Sequence, residues 1–468
     1  MSVGQKMKLN EAGVTLIDCD HKTPTAQTSG YPYVGIPQLK NGHIRLDGAR
    51  LISEEDFVLW TKKAKPKHND VILSRRCNPG ESAYVPEGLE IALGQNLVLL
   101  RSDGSVIYPP FLRWLVQGNE WWKQVNKFLN VGAVFNSLKC KDIPNFNLTI
   151  PSLNEQKRIT DILSSLDNKI ELNNKVNQTL ESITQAIFKS WFIDFDPVRA
   201  KIAAKLEGKN PELAAMCAIS SKSETELEQL AKDDFAELQA TAALFPDELV
   251  ESELGEVPKG WEILDIDKTT SLIIDHRGKT PKKLGSDWSD TGITVLSAKH
   301  IKDGYIVNRE QLRFVDTELY NKWMKEELKE GDILLTSEGP MGEMYYLASD
   351  EKYCLSQRLY ALRANTDLIS SAFLYFWLLS PYAKSDMNGR ATGTTVVGIR
   401  QSELRKVKVL TPPKNICDLF NEKVKANLKQ IALNNNKSVD LAHIRDIFLP
   451  KLLSGEISLN INMENIDD

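Results

Sequence analysis

Apolar positions along the chain follow two rhythms. Over residues 1–151 they fall in short runs, DVILS (70–74) and NLVLLR (96–101), bounded by glycine, proline and asparagine, which predicts strands joined by turns. One longer apolar stretch, PPFLRWLVQ (109–117), predicts a helix opened by proline. After Pro151 the rhythm changes. Ile159, Leu166, Asn173, Leu180 and Ile187 recur every seven residues, with Ile162, Val176 and Ile183 on the adjoining seam. Four heptads with this seam predict a coiled coil. Ser152 and Glu155 supply a capping box at its start, and Pro197 is expected to end it.

The whole succession then recurs. DILLT (332–336) repeats DVILS, RLYALR (358–363) repeats NLVLLR, and SAFLYFWLL (371–379) stands where the first apolar helix stood. A second heptad series follows through Phe420, Asn427, Asn434, Leu441 and Phe448, joined by Val424, Ile431 and Ile444, with Pro450 expected to stop the helix. Asp70 over Asp332, Gln95 over Gln357 and Arg101 over Arg363 are all offset by 262, and Gly132 over Gly393 and Pro151 over Pro412 by 261. Thr23-Pro24 matches Thr280-Pro281 at 257. Colinear matches at nearly one offset mean two copies of one unit.

The predicted fold is therefore mixed α/β: two similar globular domains separated by two long helices that form an antiparallel coiled coil. The expected boundaries are 1–151, 152–199, 200–257, 258–411 and 412–468, with 200–257 an acidic connector that has helical character at 223–240 and no second copy. The GWE at 260–262, which opens the second domain, has no counterpart at the N-terminus, so the first opening strand is expected to be short or supplied differently. Asn173 and Asn434 share one heptad position near the middle of their helices. Antiparallel packing sets middle against middle, where the two amides would bond across the seam and fix register; the alternative is a solvent-facing polar stripe. The expected interface set is Ile159, Leu166, Asn173, Leu180, Ile187, Asn434 and Leu441.

Composition narrows the function. Six cysteines, at least 58 residues apart, and six scattered histidines offer no zinc knuckle or disulfide framework, which fits a reduced cytoplasmic setting without metal or cofactor. No apolar run reaches membrane-spanning length. The net charge of −5 hides an uneven distribution: residues 21–150 carry 16 basic and 11 acidic side chains, 200–257 carry 5 and 13, and 258–410 carry 22 and 21. The first domain is mildly basic, so nucleic acid is a permitted partner. A helix of roughly 30–38 residues is about 45–57 Å long, and one turn of B-DNA is about 34–36 Å. Two readers at the ends of such a rod form a caliper for separated half-sites.

Enzymatic motifs are weak. Tyr108-Pro-Pro-Phe111 resembles an amino-methyltransferase loop but lacks the leading Asn or Asp, and Asp194-Phe-Asp196 follows a helix, not the strand that paired phosphatase aspartates require. No GxxxxGK[ST], GxSxG or GxGxxG is present.

SLNEQKRITDILSSLDNKIELNNKVNQTLESITQAIFKSWFIDFDPVRAK (152–201), with TAALFPDELVESELGEVPKGWE (241–262) and FLPKLLSGEI (448–457), resembles the DNA specificity subunit of type I restriction–modification systems. The resemblance implies a non-catalytic subunit whose two target-recognition domains each read half of an asymmetric bipartite DNA sequence. It also implies helices that set the spacing and dock two methyltransferase subunits, with restriction and translocase subunits as further partners. The competing reading is a coiled-coil interaction scaffold that does not bind DNA.

Base readout favours Arg or Lys on guanine and Asn or Gln on adenine. In the first domain this selects Arg75, Arg76 and Asn78, with Lys62 and Lys63 suited to phosphates. In the second it selects Arg277, Lys279, Lys299, His300 and Arg390. Solvated surface charge is the alternative for each. Gln95 and Gln357, at equivalent places, point to service in the shared fold, and Trp121-Trp122 to core or interface.

Overall fold

The computed structural model describes residues 4–19, 23–132, 135–276 and 278–457. Two compact units emerge, residues 1–172 with 437–468, and residues 173–436. Each joins one globular domain to part of both long helices, α1 (Leu153–Phe192) and α2 (Lys414–Ser454).

The first unit centres on a four-stranded antiparallel sheet of β1 (Val14–Asp18), β2 (Val71–Ser74), β3 (Ser82–Tyr84) and β4 (Leu97–Ser102), in the order β1-β4-β2-β3. Alternate residues face two cores: Val71, Leu73, Val98 and Leu100 enter the larger, and Ile72, Leu97 and Leu99 the smaller. Burial on both faces explains why these strands read as continuous apolar runs and not as alternation. The second unit repeats the plan with β5 (Thr270–Asp275), β6 (Ile333–Thr336), β7 (Met344–Tyr346) and β8 (Leu359–Ala364), in the order β5-β8-β6-β7. Ile333, Leu335, Tyr360 and Leu362 face one core, and Leu334, Leu359 and Ala361 the other.

Each domain closes with a two-stranded pairing, Gln5–Lys8 against Asn147–Ile150 and Glu262–Asp265 against Lys408–Thr411. The first opening strand is thus present at the same length without the Gly-Trp-Glu motif. Main-chain pairing, not Trp261, makes this strand; Trp261 instead packs on Phe192 and Phe195.

Ser152 and Glu155 close the capping box of α1: the Glu155 amide donates to Ser152 Oγ (3.4 Å), and the Ser152 amide donates to Glu155 Oε2 (3.1 Å). Pro450, by contrast, does not stop α2, which runs on to Ser454. A proline removes one amide donor from the last turns, and burial of Leu449 and Leu452 in the first unit's core outweighs that loss. The acidic segment folds into short helices, among them Pro211–Ser220 and Lys232–Ala243, around Ala215, Met216, Leu227 and Ala242. No helix among the described residues is long and apolar enough to cross a membrane.

Candidate nucleic-acid interface

In the first domain Ser53 caps the helix Glu54–Thr61, three acidic residues fill its first turn, and Lys62 and Lys63 follow its end, exposed. This polarity suits the helix dipole and leaves both ammonium groups in solvent. The loop after β2 turns through Cys77 at φ +63°, with Ser74 Oγ donating to the Arg76 carbonyl (2.8 Å). Arg76 and Asn78 are exposed, and Asn78 Nδ2 donates to Glu81 Oε2 (3.1 Å). Arg75 is half-buried. Burial pushes the Cys19 thiol up to about 11, against the nearby positive charges of Arg75 and Lys63. The same two charges act on Cys140. Folding therefore gathers Lys63 and Arg75 at one end of the sheet.

The second domain distributes its candidates differently. Arg277 lies outside the described residues. Lys279 turns inward, donating to the Trp323 carbonyl (2.6 Å), and burial lowers its pKa. His300 is 3 % exposed; its Nδ1 accepts the Ser297 amide (3.1 Å), closing a local turn in the wall of a notch described below. Arg390 is paired with Asp386 one turn back on its own helix (2.7 Å). Lys299 stays exposed, donating to Gln311 Oε1 (3.1 Å). Sequence spacing does not say which basic side chains find an acceptor in their own domain. Lys279, His300 and Arg390 each have a partner there, at Trp323, Ser297 and Asp386.

Two concavities escape any reading of the sequence. In the first unit a notch of about 720 Å³ is lined by Thr23, Tyr33, Lys40, Asn78 and Gln95 among others. In the second a notch of about 500 Å³ is lined by Thr280, Trp288, Lys299, Arg313 and Gln357 among others. Gln95 and Gln357 are equivalent, as are Thr23 and Thr280. The Arg313 guanidinium lies 5.0 Å from the Trp288 ring centre. Arg313 opens the strand Arg313–Val315 as Arg50 opens Arg50–Ile52, a one-residue shift in the repeat that hid the match.

The helical seam is more polar than its heptads suggest. On α1 the buried positions include Gln156 and also Thr160, Asp167, Asn177 and Thr184, each of the latter one position beyond a residue of the apolar series. Of the expected interface residues, Ile159, Asn173 and Asn434 are buried, whereas Leu166, Leu180, Ile187 and Leu441 are half-buried; Val176 and Ile183 are exposed. Asp167 and Asn177 take the seam because each finds partners on α2, whereas Thr160 and Thr184 bond to carbonyls of their own helix. In the second unit Asn434 Nδ2 donates to Asn177 Oδ1 (2.8 Å), and Asn177 Nδ2 to Asn435 Oδ1 (2.7 Å). Asn434 thus meets Asn177, one turn from the expected Asn173. In the first unit Asp167 accepts from Arg113 and from Arg445 (2.7 Å), and lies 3.1 Å from His43 Nε2. Burial works to raise the Asp167 pKa, but His43, Arg113 and Arg445 outweigh it and hold the carboxyl well below the usual range. Arg113 also stacks on Tyr84 at 3.7 Å. The corresponding position in the second unit is Tyr375, part of an aromatic core.

Comparison with known proteins places these features. The family model for the type I restriction modification DNA specificity domain matches residues 18–182 and again 258–441. The chain is 31 % identical over 421 residues to the type I restriction enzyme HindI specificity subunit of Haemophilus influenzae, covering 86 % of this chain and 89 % of that protein. It is 24 % identical to the type I restriction enzyme MjaIX specificity subunit of Methanocaldococcus jannaschii, covering 88 % and 82 %. Among solved structures, the type I restriction-modification system S subunit from M. genitalium superposes with a TM-score of 0.56 at 12 % identity, covering 96 % of each chain. That last likeness is one of fold.

Proposed function

Because the chain belongs to the type I restriction–modification DNA specificity family and carries that family's domain twice, we propose that each domain reads one half of a bipartite DNA target. The chain is the specificity subunit of such a system and recognises DNA without cutting or methylating it. The observation that carries the two-reader proposal is repetition with divergence. The sheets, the ion pairs Asp70–Arg101 and Asp332–Arg363 and the closing strands recur, and Gln95/Gln357 and Thr23/Thr280 are common to the notches, while the charged and aromatic side chains around them differ. One scaffold presenting two different surfaces suits an asymmetric target.

The five-segment division at 151, 199, 257 and 411 serves this reading, with the helical regions as spacer and docking platform. Methyltransferase subunits, two of them, would dock there, and restriction subunits join. Exposed apolar side chains on the helices support docking: Val176, Ile183 and Leu433 in the second unit, and Ile444, Ile447 and Phe448 in the first. Exposed Lys62, Lys63, Arg76 and Lys299 supply the cationic groups that phosphate binding needs.

The test is selection from a random duplex library by the chain co-expressed with its methyltransferase. Two defined blocks with a fixed spacer support the reading, and exchange of one domain should then change one block only. No enrichment at moderate salt from an intact complex favours an interaction scaffold instead.

A further inference from the structure

Gln95 and Gln357 are equivalent by sequence, yet neither side chain is packed into its domain; both are exposed at the rim of a notch. Each precedes a residue in the left-handed region, Asn96 at φ +69° and Arg358 at φ +64°. Asparagine tolerates that conformation; arginine does so at a cost. The turn is kept in both copies by one main-chain bond, the Asn96 carbonyl accepting from the Arg75 amide (3.0 Å) in the first and the Arg358 carbonyl from the Ser337 amide (2.9 Å) in the second, so the glutamine before it is held at the same place. Beneath it, the strands Leu97–Ser102 and Leu359–Ala364 are held in equivalent sheets. The amide is thus mounted on a rigid edge, as a reading group needs to be.

We propose, resting on the two-reader function above, that the notches are base-reading pockets in which Gln95 and Gln357 each address the major-groove edge of an adenine, one in each half of the target. A glutamine amide matches adenine in a bidentate way, Oε1 accepting from N6–H and Nε2 donating to N7. In the first notch Nε2 donates to Thr23 Oγ1 (3.0 Å), which uses one of its two hydrogens and steadies the amide. The Gln95 backbone amide also donates to the Tyr33 hydroxyl (3.2 Å).

The neighbours of the two amides differ. Lys40 and Asn78 flank the first, and Lys299, Arg313 and Trp288 the second. A shared amide with changed flanks reads one common base type inside two different local sequences. Lys282, Lys299 and Arg313 outnumber Asp287 at the second notch and favour phosphate nearby, whereas Lys40 is balanced by Glu81 at the first; in both the neutral amide supplies the discrimination.

The experiment is the same library selection, run on the methyltransferase complex with wild type and with Gln95→Ala, Gln95→Glu, Gln357→Ala and Gln357→Glu. Each alanine variant should relax a single A·T position, in one half only, by about ten-fold in preference. Each glutamate variant should shift that position toward cytosine, whose N4 amine donates to a carboxylate. Melting temperatures should match wild type, since both side chains are exposed. Unchanged motifs in the alanine variants overturn the proposal, as does a uniform loss of affinity across all sequences. A wild-type complex that enriches nothing overturns the two-reader function, and this proposal with it.

Discussion

Asn434 donates to Asn177 across the helical seam at 2.8 Å, one turn away from its sequence equivalent, Asn173. Equivalent residues on antiparallel helices meet only if they lie at the midpoint of the pairing; these two do not. Asn177 also donates to the Ile431 carbonyl (3.3 Å), so both amides are satisfied inside the seam.

Replacing Asn177 alone with leucine strands the Asn434 amide and should cost about 1–3 kcal/mol in urea unfolding. The double variant Asn177→Leu, Asn434→Leu removes both polar groups and should recover that loss, with a melting temperature at or above wild type. Register should loosen, read as a broader distance distribution between spin labels on the two helices. A double variant less stable than either single one would mean that the amides contribute net stability and are not there for register.

Arg101 grips Asp70 through Nε (2.7 Å) and Nη2 (2.6 Å) and donates to the Lys65 carbonyl. Arg363 repeats this on Asp332 (2.8 Å for both bonds) and the Glu327 carbonyl. Both aspartates are nearly fully buried. Asp70→Ala and Asp332→Ala should each destabilise by about 3 kcal/mol, because each leaves a partly buried guanidinium unpaired. With no shared partner the two effects should add. Equal losses, measured by chemical denaturation, are the signature of one structural device used twice.

Asp167 gives the first unit an acid-sensitive joint. Its folded pKa is depressed, so its contribution is fully present above the unfolded value near 3.9 and is lost as pH falls below it. Unfolding free energies at pH 7 and pH 3 should therefore differ more for wild type than for Asp167→Asn. The same slope in both proteins would remove Asp167 from the acid response.

The basic residues should separate by salt dependence. Lys62→Ala, Lys63→Ala or Arg76→Ala should weaken DNA binding about equally across sequences and lower the log–log salt slope by roughly one for each phosphate left without its cation. Lys279→Ala should lower the melting temperature and leave that slope alone, since its ammonium is committed to the Trp323 carbonyl. A changed slope in Lys279→Ala would return it to the DNA-facing set.

Repetition was the legible part. The offsets of 261 and 262 set two equivalent sheets, two long helices and their order, because a strand buried on both faces and a heptad helix leave plain marks in apolar spacing. The capping box at Ser152 was equally plain, being local. What the residues alone left open depends on partners far along the chain. Which stripe of α1 is buried was decided by Asp167 and Asn177 finding partners on α2, and those satisfied polar groups rotated the seam away from Val176 and Ile183. Lys279 and His300 turned inward for the same reason, since an acceptor or donor 44 or 3 residues away looks alike in a sequence. The notches around Gln95 and Gln357 exist only once strands and turns far apart in the chain come together. Periodicity fixes elements; the need to satisfy each buried polar group fixes how they meet.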